Sequence, residues 1–145
     1  MTAAFFVDTN IFLYAIGQDS VHRSASRAVL EAVADGSLVA ATSTEVVQEI
    51  LHVLIRKGRR PEAFVAARQI EALFAPFLPV TAAEIRKAVE ILQHSPNCGV
   101  RDAVHAATML NAGIAVIISV DADFDRLGAV TRYSPQEIVV RLALG

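Results

Sequence analysis

Short runs of apolar residues, unbroken rather than alternating with polar ones, recur along this chain, and stretches with helical spacing separate them. Ala3 to Val7, Ser37 to Ala41, Phe77 to Val80 and Ala115 to Val120 read as strands, and Ala129 to Arg132 as a further one. A strand that is apolar on both faces needs cover on both faces, and helices supply it around a mostly parallel sheet. The expected fold is therefore α/β, a three-layer α/β/α sandwich with a mostly parallel five-stranded sheet.

The helical segments have legible ends. Thr9 to Ile16 follows the first strand. Val21 to Ala34 stops at Asp35-Gly36. Thr44 to Lys57 is amphipathic and ends at Gly58. Pro61 to Phe74 opens with a proline at a helix start. Thr81 to Gln93 opens with Thr81 and Glu84 in a capping box. Val100 to Asn111 and Pro135 to Leu144 are the last two helices, with a short turn or helix over Asp121 to Asp125. No repeat or linker divides the chain, so residues 1–145 are read as a single domain.

Composition narrows the function. At 54% hydrophobic and 19% charged residues, the chain is too apolar to be disordered. Its longest apolar run, about Ala112 to Val120, falls well short of the roughly 20 residues of a membrane span. The first ten residues lack Lys and Arg and read as a strand rather than a signal peptide. Cys98 is the only cysteine, which excludes a disulfide framework and a cysteine-rich zinc site. An intracellular, cytoplasmic protein is expected. A net charge of -2 argues against binding polyanions through bulk positive charge.

Ligands of open α/β sheets sit beyond the carboxyl ends of the strands. Asp8 and Asp121 lie at such ends, with Asp123 and Asp125 close behind Asp121. Asp102 lies in the first turn of a helix. Each has an alternative role: Asp8 and Asp121 as caps, Asp102 as complement to a helix dipole. Glu49 borders the apolar stripe Val46, Val47, Ile50, Val53 and Leu54, either as an ordinary boundary residue or as an acid on the ligand-binding rim. Convergence of Asp8, Glu49, Asp102, Asp121 and Asp123 would leave 13 basic against 10 acidic residues elsewhere. Such a group repels itself, and a divalent cation relieves the conflict. Oxygen donors without His or Cys suit Mg²⁺ or Mn²⁺ rather than zinc. A water on such an ion has a lowered pKa and can attack phosphorus.

Four segments resemble the PIN-domain nucleases, and among them the VapC-type toxins of bacterial toxin–antitoxin pairs. They are VDTN at 7–10, EVVQEILHVLIRKG at 45–58, RDAVHAA at 101–107 and SVDADFDRL at 119–127. Their order and spacing fit along nearly the whole chain. The resemblance implies a parallel sheet sandwiched by helices, Mg²⁺-dependent cleavage of RNA, a homodimer, and a cognate antitoxin that blocks the site. It implies that Asp8, Glu49, Asp102 and Asp121 are the family acids. Asp8 and Asp102 would be the principal metal ligands, and Asp121 would help hold metal or water. Glu49 would stand behind those ligands or serve a second ion. Asp123 matches an accessory acid. Asn10 and Ser119 match polar positions that orient the acids or a scissile phosphate, although many members have Thr where Ser119 stands.

Arg56, Lys57, Arg59 and Arg60 form a basic run that reads as a solvated helix end or as an RNA phosphate contact. Arg101 reads equally as an ion pair with Asp102 or as a phosphate contact. His105, one turn after Asp102, is expected to be partly buried and hydrogen-bonded. Two rival functions fit parts of the pattern. One is a PIN-like interaction module with a weak or dead site. The other is an enzyme working through an aspartyl-phosphate on Asp8, for which position 10 is Asn and no lysine follows Lys87.

Overall fold

The computed structural model describes residues 2–144. Strands β1 (Phe5–Val7), β2 (Ala40–Ala41), β3 (Val116–Ile118) and β4 (Thr131–Tyr133) form one parallel sheet in the order β2-β1-β3-β4. The helices are α1 (Thr9–Ile16), α2 (Arg23–Ala34), α3 (Thr44–Arg56), α4 (Arg60–Phe74), α5 (Ala82–His94), α6 (Val100–Asn111) and α7 (Pro135–Leu144), with a 3-10 turn at Ala122–Arg126. Helix α1 packs on α2 and α3, α2 on α7, α3 on α4, and α5 on α6. Successive strand residues point to opposite faces. Phe6, Val7, Ile117 and Ile118 are all 0% exposed, so helices cover both faces of the sheet. The result is the three-layer α/β/α sandwich, and each such side chain stabilises it by about 1.5–3 kcal/mol. No helix among the described residues is long and apolar enough to cross a membrane.

The sheet has four strands, not five. Phe77 to Val80 supplies only a single parallel bridge between Ser43 and Leu78. Leu78 donates its N–H to the Thr42 carbonyl at 3.0 Å and accepts from Thr44 N–H at 3.1 Å. Pro76 and Pro79 flank this point, and neither has an N–H with which to lengthen the ladder. The last strand lies two residues later than Ala129, because Leu127 and Val130 turn inward to close the loop from the 3-10 turn.

Helix α3 ends where the sequence predicts. Gly58 has φ +75°. Its N–H bonds Ile55 O at 3.0 Å, and the next N–H, of Arg59, bonds Leu54 O at 2.8 Å. This Schellman closure turns the chain into α4 and sets the direction of the basic run.

The strand order places a topological switch between β1 and β3. From β1 the chain crosses to β2 on one side and later enters β3 on the other. Such a point is where open α/β sheets form a crevice beyond the carboxyl ends of their strands. Register pairs Val7 with Ile118, so Asp8 and Ser119 become lateral neighbours.

Candidate functional site

Asp8 occupies that crevice and is 5% exposed. It is the N-cap of α1, with Oδ1 accepting the Thr9 N–H at 2.8 Å. Its other oxygen accepts from Ser119 Oγ at 2.6 Å and from Asn10 Nδ2 at 3.1 Å. Asn10 Nδ2 also donates to Ser119 Oγ at 3.0 Å, and Asn10 Oδ1 accepts from the Val120 N–H at 3.1 Å. The Ser119 hydroxyl then accepts the Asp121 N–H at 3.0 Å. The first and third strand ends are thus stitched by two side chains that the sequence had marked as polar site positions. Arg132 holds the back of this junction, donating to Ser119 O at 3.0 Å while paired with Asp125.

Asp102, in the first turn of α6, faces Asp121 and Asp123. One carboxylate oxygen from each lies within 4.8 Å of the others. Asp121 caps the 3-10 turn by accepting the Asp123 N–H at 2.9 Å, which leaves its second oxygen available. Burial pushes the Asp102 carboxyl up to about 6, and the charges of Asp121, Asp8 and Asp123 push the same way against His105. Burial also raises Asp8 above the ordinary carboxyl value; His105 and the hydrogen bonds from Ser119 and Thr9 offset part of that. An oxygen-only donor set whose members disfavour each other's ionisation fits a hard divalent cation.

Glu49 reaches the crevice from α3 and is tied to the same junction. Its Oε2 accepts from Thr9 Oγ1 at 2.8 Å. His105 Nε2 lies 3.0 Å from Glu49 Oε1 and 3.8 Å from Asp8 Oδ1, within ion-pair range of both. Burial raises Glu49, yet His105, Thr9 and Arg101 together hold it below its ordinary value. Burial lowers His105, but Glu49, Asp8 and Asp102 outweigh it and raise its pKa. His105 is therefore the buried group whose protonation offsets the charge of the surrounding acids. Asp8, Glu49, Asp102, Asp121 and Asp123 all come to one crevice; three present oxygens to each other, and two are joined through His105.

The PIN domain model matches residues 5–130. The chain belongs to the PIN domain family. Within it, Ribonuclease VapC23 of Mycobacterium tuberculosis is 34% identical over 116 residues, spanning 80% of this chain and 91% of that protein. Two solved structures share the fold. The sarcin-ricin loop cleaving toxin VapC20 of Mycobacterium tuberculosis superposes with TM-score 0.69 at 24% identity, over 86% of this chain and 95% of that one. A toxin-antitoxin complex from Klebsiella pneumoniae superposes at 0.65 with 18% identity, over 92% and 98%.

Sequence reasoning gave His105 only a supporting role in this PIN domain and overlooked Thr9. A signal was present for His105, which stands three residues after Asp102 and so shares its helix face. Thr9 carried none, because its partner lies 40 residues away. The basic residues divide. Lys57 and Arg59 line a groove of about 650 Å³ whose wall includes Asn10. Arg59 also pairs with Glu62 at 3.0 Å, and the Arg60 guanidinium lies 5.5 Å from the Phe64 ring centre. Arg56 is exposed at the end of α3. Arg101 lines a cleft with Glu49 and His52, and its charge acts on Glu49; it forms no ion pair with Asp102 among the described residues.

Proposed function

We propose that this PIN domain is a divalent-metal-dependent endoribonuclease, the toxin of a toxin–antitoxin pair, with Mg²⁺ as its ion and Mn²⁺ as a substitute. The supporting observation is the convergence of Asp102, Asp121 and Asp123 beside the buried Asp8. Asp102, Asp121 and Asp123 would hold the ion, with Asp8 behind them offering its remaining lone pair. A bound ion lowers the pKa of a water and offsets charge on the attacking and leaving oxygens of a phosphodiester. The chain's own residues do the rest. Ser119 and Asn10 fix the Asp8 carboxylate and the Asp121 backbone in one frame. His105 keeps Glu49 ionised and limits repulsion between Asp8 and Glu49. Lys57 and Arg59 flank a groove that reaches Asn10, a path along which RNA phosphates gain favourable charge.

The relative named a ribonuclease and the fold neighbour described as a toxin favour RNA as the substrate. A cognate antitoxin blocking the crevice, a homodimer and a cytoplasmic location complete the reading. Ile85 and Val89, one turn apart on α5 and each 48% exposed, are an apolar pair suited to contact between copies.

The test is cleavage of structured RNAs by Asp8→Asn and Asp102→Asn, which remove charge with little change of shape. Each is expected to lose roughly a hundredfold in rate or more, and EDTA is expected to abolish cleavage by the parent. Both variants cutting as fast as the parent would overturn the assignment. A parent protein that bound neither Mg²⁺ nor Mn²⁺ would favour an interaction module instead.

A further inference from the structure

A second cavity adjoins the acids. It encloses about 220 Å³, and Asp102 and Asp123 form part of its wall together with His94, Asn97, Cys98 and Arg126. We propose that this cavity receives the base of one nucleotide next to the cleaved phosphodiester, and that Asn97 reads that base. The proposal rests on the ribonuclease reading above and adds to it a site of sequence preference.

Position comes first. A ring seated here lies against the two acids that converge with Asp121, so its own phosphate is delivered to the place where the carboxylates meet. Size comes second. The volume is below the roughly 300 Å³ at which pockets for drug-sized molecules begin. It admits one ring system, not a stacked pair. Chemistry comes third. Unpaired RNA bases are recognised by stacking on aromatic or guanidinium planes and by hydrogen bonds to their Watson–Crick edges. His94 and Arg126 supply planar faces, and the Asn97 amide supplies donors and an acceptor on one side chain. Arg126 stands only at 3.9 Å from Asp123 and is largely exposed, so it is free to turn onto a base. The wall is also fixed. Cys98 N–H closes the Ser95 turn at 3.0 Å, and the next residue, Gly99, caps α6.

Two readouts test this. The first is the base preference at each position around the cut in a randomised single-stranded RNA. Asn97 is exposed in a turn, so its replacement spares the core. Asn97→Ala is expected to reduce the preference at one position roughly tenfold, and Asn97→Asp to shift it to a different base. Asn97→Ala adds no charge beside the acids and is expected to leave Mn²⁺ affinity unchanged. The second readout needs no cleavage. Cys98 is half-buried and lines the cavity. The four nucleoside 5′-monophosphates, added singly at millimolar concentration with Mg²⁺, are expected to slow iodoacetamide labelling of Cys98, one of them most. RNA cleaved with an unchanged preference in both variants, and Cys98 labelled at the same rate with and without nucleotides, would overturn the base pocket while leaving the nuclease intact. A parent that cut no RNA would overturn the function beneath it.

Discussion

Acidification from pH 7 to pH 5 is expected to weaken Mn²⁺ binding about tenfold. The carboxyl of Asp102 is pushed up to about 6 by burial and by the charges of Asp121, Asp8 and Asp123. With that pKa it is about 90% ionised at pH 7 and about 10% ionised at pH 5. An ion bound there has to displace the proton, so the apparent affinity falls with the ionised fraction. The loss corresponds to about 1.4 kcal/mol. A carboxyl at its ordinary 3.8 would stay more than about 90% ionised at both pH values and would give almost no change. Asp8, also raised, deepens the loss. The assay is calorimetric titration of the full chain with Mn²⁺ at the two pH values, repeated with Asp102→Asn, which is expected to bind more weakly at pH 7 and to lose most of the acid dependence. Equal affinities for the parent at pH 5 and pH 7 would refute the reasoning. Between 3.8 and about 6 the metal-free fold binds more protons at Asp102 than the unfolded chain does. That contribution is therefore unfavourable at pH 7 and is relieved as the pH falls through 6, whereas saturating Mn²⁺ reverses the slope.

His105→Ala removes the buried imidazole that stands between Glu49 and Asp8, and is expected to cost about 3–5 kcal/mol in urea denaturation at pH 6, where the ring pairs with both acids. Because the folded pKa of His105 is raised, its contribution is full below 6.5 and is lost as the pH rises through the folded value, so the cost of the substitution shrinks toward alkaline pH. Ser119→Ala leaves Asp8, Asn10 and the Asp121 N–H each short of a partner in a fully buried place; a loss of about 1–3 kcal/mol is expected by the same assay. Gly58→Ala meets no atom within 4 Å, so its cost is conformational alone, about 1–2 kcal/mol from the positive φ. It is expected to lower the melting temperature by a few degrees in a chain of this size without changing Mn²⁺ affinity.

Much of this architecture was legible because local signals agreed. The bounds of α1, α6 and α7 follow from Asp8, Gly99 to Val100, and Pro135. Thr81 and Glu84 form the capping box that their spacing announces, and Glu84 further binds Asn111 on α6 at 2.8 Å. The apolar runs named the sheet but overstated it. Phe77 to Val80 has a strand's apolar content and lacks its donors, so tertiary pairing stopped at one bridge. Asp8, Asp102, Asp121 and Asp123 were legible as a set because strand ends and a helix start are local features, and Glu49 was legible from its place at the edge of the apolar stripe of α3. Contacts that join distant segments were not. The hydroxyl of Thr9 on Glu49 and the imidazole between Glu49 and Asp8 depend on how α3 and α6 cross over the switch point, which no local pattern encodes.

Capping and metal chemistry stood as alternatives for Asp8 and Asp121, and under the proposed function they become successive uses of one side chain. An ionised carboxylate has about four lone-pair directions. Asp8 spends one on Thr9 N–H, and that bond fixes the rotamer in which its other oxygen meets Ser119 and Asn10. Asp121 spends one on Asp123 N–H, and the turn so formed swings Asp123 round to face Asp102. Serine or threonine at either position would satisfy the cap and lose the charge. The acids are thus placed by ordinary helix-start physics at the ends of buried strands. Their mutual repulsion is what makes an empty crevice unfavourable and a divalent ion welcome. The fold tolerates that repulsion because His105, drawn in by α6 from behind, offsets part of it before any ion arrives.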